Sequence, residues 1–203
     1  MYSEVHATIG WVLAQPVKGD RKFRASVTLA GLLPDLDVAT YLMGPGAFAR
    51  YHHVWTHNLL FGMLVSGVAS WICRSRRWKT FLFTQLAFYA HYFGDYFLTR
   101  MPLAAFWPFS DAKFGYSGAL ALGHPLNHLL VWLSLLAIAL IAWRLKRTPL
   151  EILSPEADKR LVNFFFRLRA TPCEICAKPG NESCAECGQA ICGRHGSIGK
   201  GFK

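Results

Sequence analysis

The stretch YHHVWTHNLL, residues 51–60, places three histidines within six residues, immediately before a long uncharged apolar run. If it opens a helix, His53 and His57 stand four apart and share one face, and neutral imidazole is the commonest protein ligand for a divalent metal. Three further stretches carry residues of the same kind: His6 near the start, LPDLD with Asp35 and Asp37, and HYFGD with His91 and Asp95. Nitrogen and carboxylate donors without sulfur suit a zinc-type ion. Any one such histidine taken alone is ordinarily a core residue with satisfied hydrogen bonds. Four separate stretches weigh against that reading. An ionisable group in apolar surroundings costs on the order of a few kcal/mol unless paired or ligated, and no Lys or Arg partners stand beside these. A shared divalent metal, zinc by first choice, is expected.

The composition fits such a site at a membrane. The chain has 203 residues, 53% of them hydrophobic and 17% charged, with a net charge of +10. That length holds one ordinary domain and an appendage. The charge is low for a soluble domain, and most of the positive excess lies in short clusters, residues 18–24, 74–79 and 144–147. These clusters flank apolar runs and lack a basic helix interleaved with aromatics, so membrane-surface anchoring explains them better than nucleic acid. No cleavable signal peptide is expected, because Glu4 and His6 stand where a basic leader would be.

Residues 5–17 read as a short apolar helix followed by the basic loop KGDRKFR, and residues 25–33 as a second apolar segment ending in Pro34 and the two aspartates. Gly44, Pro45 and Gly46 mark a turn. Residues 58–73, 80–98 and 129–143 are candidate spans, the first marginal in length and the second interrupted by Gln85, His91 and Asp95. The competing assignment is core helices of a soluble bundle. The positive-inside rule sorts the chain without any metal argument: with the basic clusters cytoplasmic, every candidate ligand falls toward the other face.

These residues resemble the YdjM-type family of predicted membrane-bound metal-dependent hydrolases. That family's pattern has an early His, an apolar run ending in LPD-x-D, a His-Arg-Gly-x-Thr-His-Ser-Leu-Leu motif, and a His-x-x-x-Asp followed by an apolar stretch ending near Trp-Pro. The counterparts here are His6, GLLPDLD at 31–37, HHVWTHNLL at 52–60, HYFGD at 91–95 and FWPF at 106–109. The resemblance covers about residues 1–143. It implies His6, Asp35, Asp37, His52, His57, His91 and Asp95 as metal ligands. His53 and Val54 replace the family's Arg-Gly pair, and Asn58 replaces Ser, so substrate contacts are expected to differ. Family spacing selects His52, whereas helical spacing favours His53 as the partner of His57; we take His52 and hold His53 as second choice. His124 and His128 share a face at i, i+4, and for them ligation and hydrogen bonding within the bundle both stay open.

Hydrolysis is the chemistry expected. A divalent ion lowers the pKa of a bound water from ~16 toward ~7 and polarises a phosphoryl or carbonyl oxygen. Asp35, Asp37 and Asp95 are the catalytic candidates, as bridging or supporting carboxylates or as general base. The membrane face suggests a lipid-derived ester or phosphoester. No GxSxG elbow, P-loop or GxGxxG motif offers other machinery, and Cys73 reads as a small buried apolar residue.

Beyond residue 170 come Cys173-x2-Cys176, Cys184-x2-Cys187 and Cys192-x2-His195. Thiolates two residues apart form the knuckle that tetrahedral zinc requires, and a reducing compartment disfavours disulfides. The spacing resembles the start of a B-box-type zinc finger, which implies one zinc on Cys173, Cys176, Cys192 and His195. Cys184 and Cys187 then want two more ligands; alternatively the first two Cys pairs form a small ribbon. Such a module needs metal to fold and commonly serves protein contacts.

The expected architecture is all-α: a multi-helix integral membrane bundle with a small C-terminal zinc-binding module. Residues 1–147 form the membrane-embedded domain, 148–170 a linker or amphipathic segment, and 171–203 the zinc module on the cytoplasmic side of a multi-pass protein. Membrane lipid and a protein partner of the zinc finger are the expected partners. The reading from another class is a non-catalytic membrane protein in which the metal only holds the bundle together.

Overall fold

The computed structural model describes residues 1–17 and 21–166, together with the short strands β1 (Glu182–Ser183) and β2 (Ala190–Ile191). Residues 18–20 of the basic loop lie outside it, and so do the tail ligands Cys173, Cys176, Cys184, Cys187, Cys192 and His195. Apart from β1 and β2, which pair antiparallel, every regular element described is helical: α1 (Ser3–Leu13), α2 (Arg21–Leu32), α3 (Pro45–Tyr51), α4 (Leu59–Ile72), α5 (Arg77–Leu98), α6 (Pro125–Leu145) and α7 (Pro155–Phe166). The chain divides into two compact units, Met1–Leu140 and Ile141–Lys203.

In the first unit α1 and α2 form a hairpin, α2 packs on α5, and α4 and α5 form a second hairpin. The helices approach closely where glycine leaves room. A Cβ on Gly10 would stand 2.9 Å from the Val27 carbonyl oxygen, and one on Gly31 2.8 Å from that of His6, so the α1–α2 crossing requires both glycines. Gly62 plays the same part on α4, where a Cβ would come within 2.8 Å of the Phe88 ring. One apolar cluster of this unit is built from Ala14, Val17, Phe23, Val27, Ala30 and Ala87, and Val5, Trp11, Phe88 and Leu103 are fully buried as well.

The polarity of the bundle is reversed relative to a water-soluble one. Helix α4 buries Gly62, Ser66 and Ala69 and turns Met63, Leu64, Val68, Trp71 and Ile72 outward. Helix α5 buries Thr80, Thr84, Gln85, His91 and Asp95, with Ala87 and Phe88 between them, while exposing Trp78, Leu82, Leu86, Phe93 and Phe97. Small and polar residues inside, with large apolar residues outside, is the arrangement of helices packed in lipid, because contiguous apolar surface on this scale is costly in water.

One helix among the described residues, α6, is long and apolar enough to cross a membrane. Its 21 residues extend about 31 Å at ~1.5 Å per residue, matching a ~30 Å hydrocarbon core. The sequence suggests three spans, and the structure shows why the other two fall short of that criterion: α4 is apolar but has only 14 residues, and the 22 residues of α5 include a basic first turn and the inward polar set.

Boundaries also move. Helix α1 stops at Leu13 rather than near residue 17, and α2 begins at Arg21, inside the basic loop. The Gly44–Pro45–Gly46 turn launches α3. Gly44 adopts φ 103°, which glycine tolerates, and Pro45 supplies the fixed φ of a first helical residue. Between α2 and α3 the chain runs through 3₁₀ turns from Leu33 to Met43, which carry Asp35 and Asp37.

Substituting Gly31→Ala should force α1 off α2 and lower the thermal midpoint of the detergent-solubilised protein, at a cost of about 1–3 kcal/mol. Gly67→Ala, on the open face of α4 where a Cβ meets nothing within 4 Å, should leave the midpoint unchanged or raise it. Equal effects from the two would contradict the crossing.

Candidate metal centre

Helix polarity collects the site. Helix α1 begins, α2 ends, α4 begins and α5 ends at one end of the bundle, and His6, Asp35, Asp37, His52, His53, His57, His91 and Asp95 lie there. Arg21, Lys22 and Arg24 open α2 at its far end, Arg74 and Arg76 lie in the α4–α5 connection, and Arg77 and Lys79 in the first turn of α5. The 51–60 stretch is not a continuous helix: α4 starts only at Leu59, because Asn58 caps it. The Asn58 side chain accepts from Phe61 N–H (2.8 Å) and donates to the carbonyls of Val54 (3.0 Å) and Trp55 (2.8 Å). The family's Ser is thus replaced by another good capping residue.

Fixed acceptors orient three of the imidazoles. His91 Nδ1 donates to the Gly31 carbonyl (2.7 Å), His53 Nδ1 to the Met101 carbonyl (3.2 Å), and His57 Nδ1 to Asp37 Oδ2 (3.0 Å). A carbonyl oxygen can only accept, so His91 and His53 must carry a proton on Nδ1, and in the neutral ring Nε2 then presents a lone pair. These Nε2 atoms converge. His57 Nε2 and His91 Nε2 are 3.1 Å apart, and Asp95 Oδ2 lies 3.1 Å from His91 Nε2, 3.4 Å from His57 Nε2 and 3.5 Å from His53 Nε2. Asp35 Oδ1 lies 3.6 Å from His91 Nε2 and 3.7 Å from His57 Nε2.

Acceptors facing acceptors in a buried pocket repel unless a cation stands between them. Donor atoms ~2.1 Å from one shared ion would be ~3.0 Å apart at right angles and ~3.4 Å apart at the tetrahedral angle. The observed separations, 3.1 to 3.7 Å, start within that range and run slightly beyond it. Asp35, His57, His91 and Asp95 offer ligand atoms all within 4.8 Å of one another, and His52, His53 and His57 form a second such group. The residues fit a divalent metal.

Asp37 and His6 stand beside these groups. Asp37 is fully buried and gathers the 52–57 turn, with Oδ1 accepting from His52 Nδ1 (2.6 Å) and Oδ2 accepting from the His53 backbone N–H (2.9 Å) and His57 Nδ1. A carboxylate behind a histidine fixes its tautomer and orientation. His6 Nε2 donates to Asp95 Oδ1 (3.1 Å), and its ring stacks on His91 at 3.5 Å. The Met1 amino group also meets Asp95 Oδ1, which leaves Oδ2 to face the three imidazoles. His124 and His128 are exposed: His124 Nδ1 accepts from Leu126 N–H at the start of α6, and His128 lies against Tyr2.

The sequence gives no sign of two contributors. The carbonyls of Gly31 and Met101 aim His91 and His53, but a backbone acceptor has no residue signature. Only Gly31, inside the LPDLD run-in, was near a motif. The loop after α5 returns to the site, where Ala104 N–H donates to the His53 carbonyl (3.0 Å) and Leu59 N–H to that of Ala105 (3.0 Å). His53 itself takes φ 63°, a left-handed conformation that costs a non-glycine residue roughly 1–2 kcal/mol.

Electrostatics point the same way. Burial alone would lower the His57 pKa, but the Asp37 and Asp95 carboxylates outweigh it and raise it to about 9. Burial, and then the neighbouring His57, push His53 down to about 3. Burial opposes ionisation of Asp37, yet the hydrogen bonds from His52 and His57 hold it below the usual carboxylate range.

A reversed-polarity helical bundle with a histidine–carboxylate cluster at one end defines a membrane-type protein whose clustered side chains could hold a metal ion. The chain belongs to the YdjM inner membrane protein family, which matches residues 1–156. Comparison with curated proteins and with solved structures gave no match.

With its pKa raised from 6.5 to about 9, His57 contributes stability that is complete below pH 6.5 and lost as pH rises through 9. The thermal midpoint of chelator-treated protein should therefore fall across that window, and added divalent metal should remove the fall by replacing the proton. A midpoint independent of pH in chelator would contradict this.

Proposed function

We propose that the cluster holds a divalent cation and that the protein hydrolyses an ester or phosphoester, lipid-derived, at the non-cytoplasmic membrane face. The observation that carries this reading is the convergence of His57 Nε2 and His91 Nε2 on Asp95 Oδ2 and Asp35 Oδ1, a set of two imidazole nitrogens and two carboxylate oxygens that one cation can bridge. A bound divalent cation supplies a water of lowered pKa and a Lewis acid for the scissile group.

The chain's own residues do the rest. Asp37 orients His52 and His57, while His6 holds Asp95. Asp35 is the least buried of the three carboxylates, and its Oδ2 has no hydrogen-bond partner, which suits a general base that takes a proton from the attacking water. A cleft of about 200 Å³ beside Asp37, lined by Leu36, Thr40, Met43, Trp55 and Thr56, has the apolar walls that a hydrocarbon chain needs.

The non-catalytic reading is favoured by one feature: two histidines and two aspartates already supply the four ligands of a closed tetrahedral zinc site. For topology, we propose a multi-pass arrangement with the basic helix ends cytoplasmic, which rests on their lying at the opposite ends of the helices from the site. A second zinc on the tail cysteines, with a protein partner there, rests on their spacing alone.

Metal analysis of the full chain in detergent should show one equivalent fewer in His91→Ala and in Asp95→Asn than in wild type, any tail zinc being common to all three. Cleavage of aryl ester or phosphoester probes should fall at least about a hundredfold in both variants, the several kcal/mol of a lost metal. Unchanged metal content would remove the site. Metal lost from both variants, with a wild type that cleaves no probe, would leave the structural role.

A further inference from the structure

The proposed centre has a further donor. His53 is buried, its ring centroid lies 4.3 Å from that of His57, and its Nε2 lies 3.5 Å from Asp95 Oδ2. Its Nδ1–H is committed to the Met101 carbonyl, so Nε2 has only a lone pair to offer the carboxylate. As a merely satisfied core histidine it would leave two acceptors facing each other in a dry pocket. The ring is also held deliberately: the backbone, at φ 63°, is pinned on one side by Asp37 Oδ2 and on the other by Ala104 N–H.

We propose that His53, grouped in this structure with His52 and His57 and facing Asp95 Oδ2 at 3.5 Å, swings its Nε2 onto the cation held by Asp35, His57, His91 and Asp95 when that cation binds, giving a centre of three imidazoles and two carboxylates that suits a six-coordinate divalent ion. This rests on the reading of the cluster as a metal site and deepens it. Five donors exceed what tetrahedral zinc takes, and a mixed imidazole–carboxylate set suits Mn²⁺ or Fe²⁺ when the geometry is octahedral. The ligand is particular to this chain, since His53 stands at a position where the sequence departs from its family's pattern.

Mn²⁺ is the probe, because soft tail thiolates discriminate against it. Full-length protein in detergent is titrated with Mn²⁺ as wild type, His53→Asn and His91→Ala; Asn tolerates the left-handed backbone at 53. Pulsed electron paramagnetic resonance then counts the imidazole nitrogens on bound Mn²⁺. His53→Asn should weaken Mn²⁺ at least about tenfold and reduce the count from three to two. A wild-type count of two overturns the assignment even if the variant fails to fold. Retained affinity and count in His53→Asn, with Mn²⁺ lost in His91→Ala, overturn the role of His53 alone. A wild type that takes zinc at the cluster but not Mn²⁺ overturns the five-donor centre and leaves the parent reading. One that takes neither ends both.

Discussion

The first unit of this protein is organised around an electrostatic conflict. Lone pairs of imidazoles whose other nitrogens are already committed are brought to about 3 Å from one another and from a buried carboxylate oxygen. Nothing in an apolar bundle relieves that repulsion except positive charge. A proton on His57 relieves part of it, which is why its pKa rises; a divalent cation would relieve all of it at once. The glycine crossings, the Asn58 cap and the returning loop after α5 all serve to keep these atoms in place.

The reversed polarity of the helices follows from the same constraint. A bundle that keeps histidines, aspartates, threonines and Gln85 inside has little apolar core left with which to fold in water. Its large apolar residues instead face outward on α4, α5 and α6, where lipid rather than water is the compatible neighbour. The close contacts at Gly10, Gly31 and Gly62 then supply packing that an oily core would otherwise provide. The second unit has its own local closure, in which Asp158 accepts from both the backbone and the hydroxyl of Thr148.

Much of the site was legible because side chains carry it. His57, His91, Asp35 and Asp95 sit in motifs that can be read without coordinates, and the structure brings them together. The division of labour within the motifs was not legible. Asp37 and His6 look like ligands in the sequence; in the structure both Asp37 oxygens and His6 Nε2 meet other site residues, while His6 Nδ1 has no hydrogen-bond partner, and a buried carboxylate is as useful behind a histidine as in front of a metal. His52 and His53 could not be separated by helical spacing, since the chain at 52–57 is a turn and His53 reaches the cluster through a left-handed backbone. The carbonyls of Gly31 and Met101 leave no mark on any sequence. The apolar segments behind α1, α2, α4, α5 and α6 were foreseen and α3 was not; their ends moved toward capping residues and glycines, and the length of the apolar run decided which described helix meets the length and hydropathy of a membrane span.

The most direct test is an anomalous difference map from crystals of the full-length protein grown with a divalent transition metal. The account predicts a peak at the site end of the bundle, ~2.0–2.2 Å from His57 Nε2, His91 Nε2 and Asp95 Oδ2. A map with no peak among those three atoms, while metal is present elsewhere in the crystal, would contradict it.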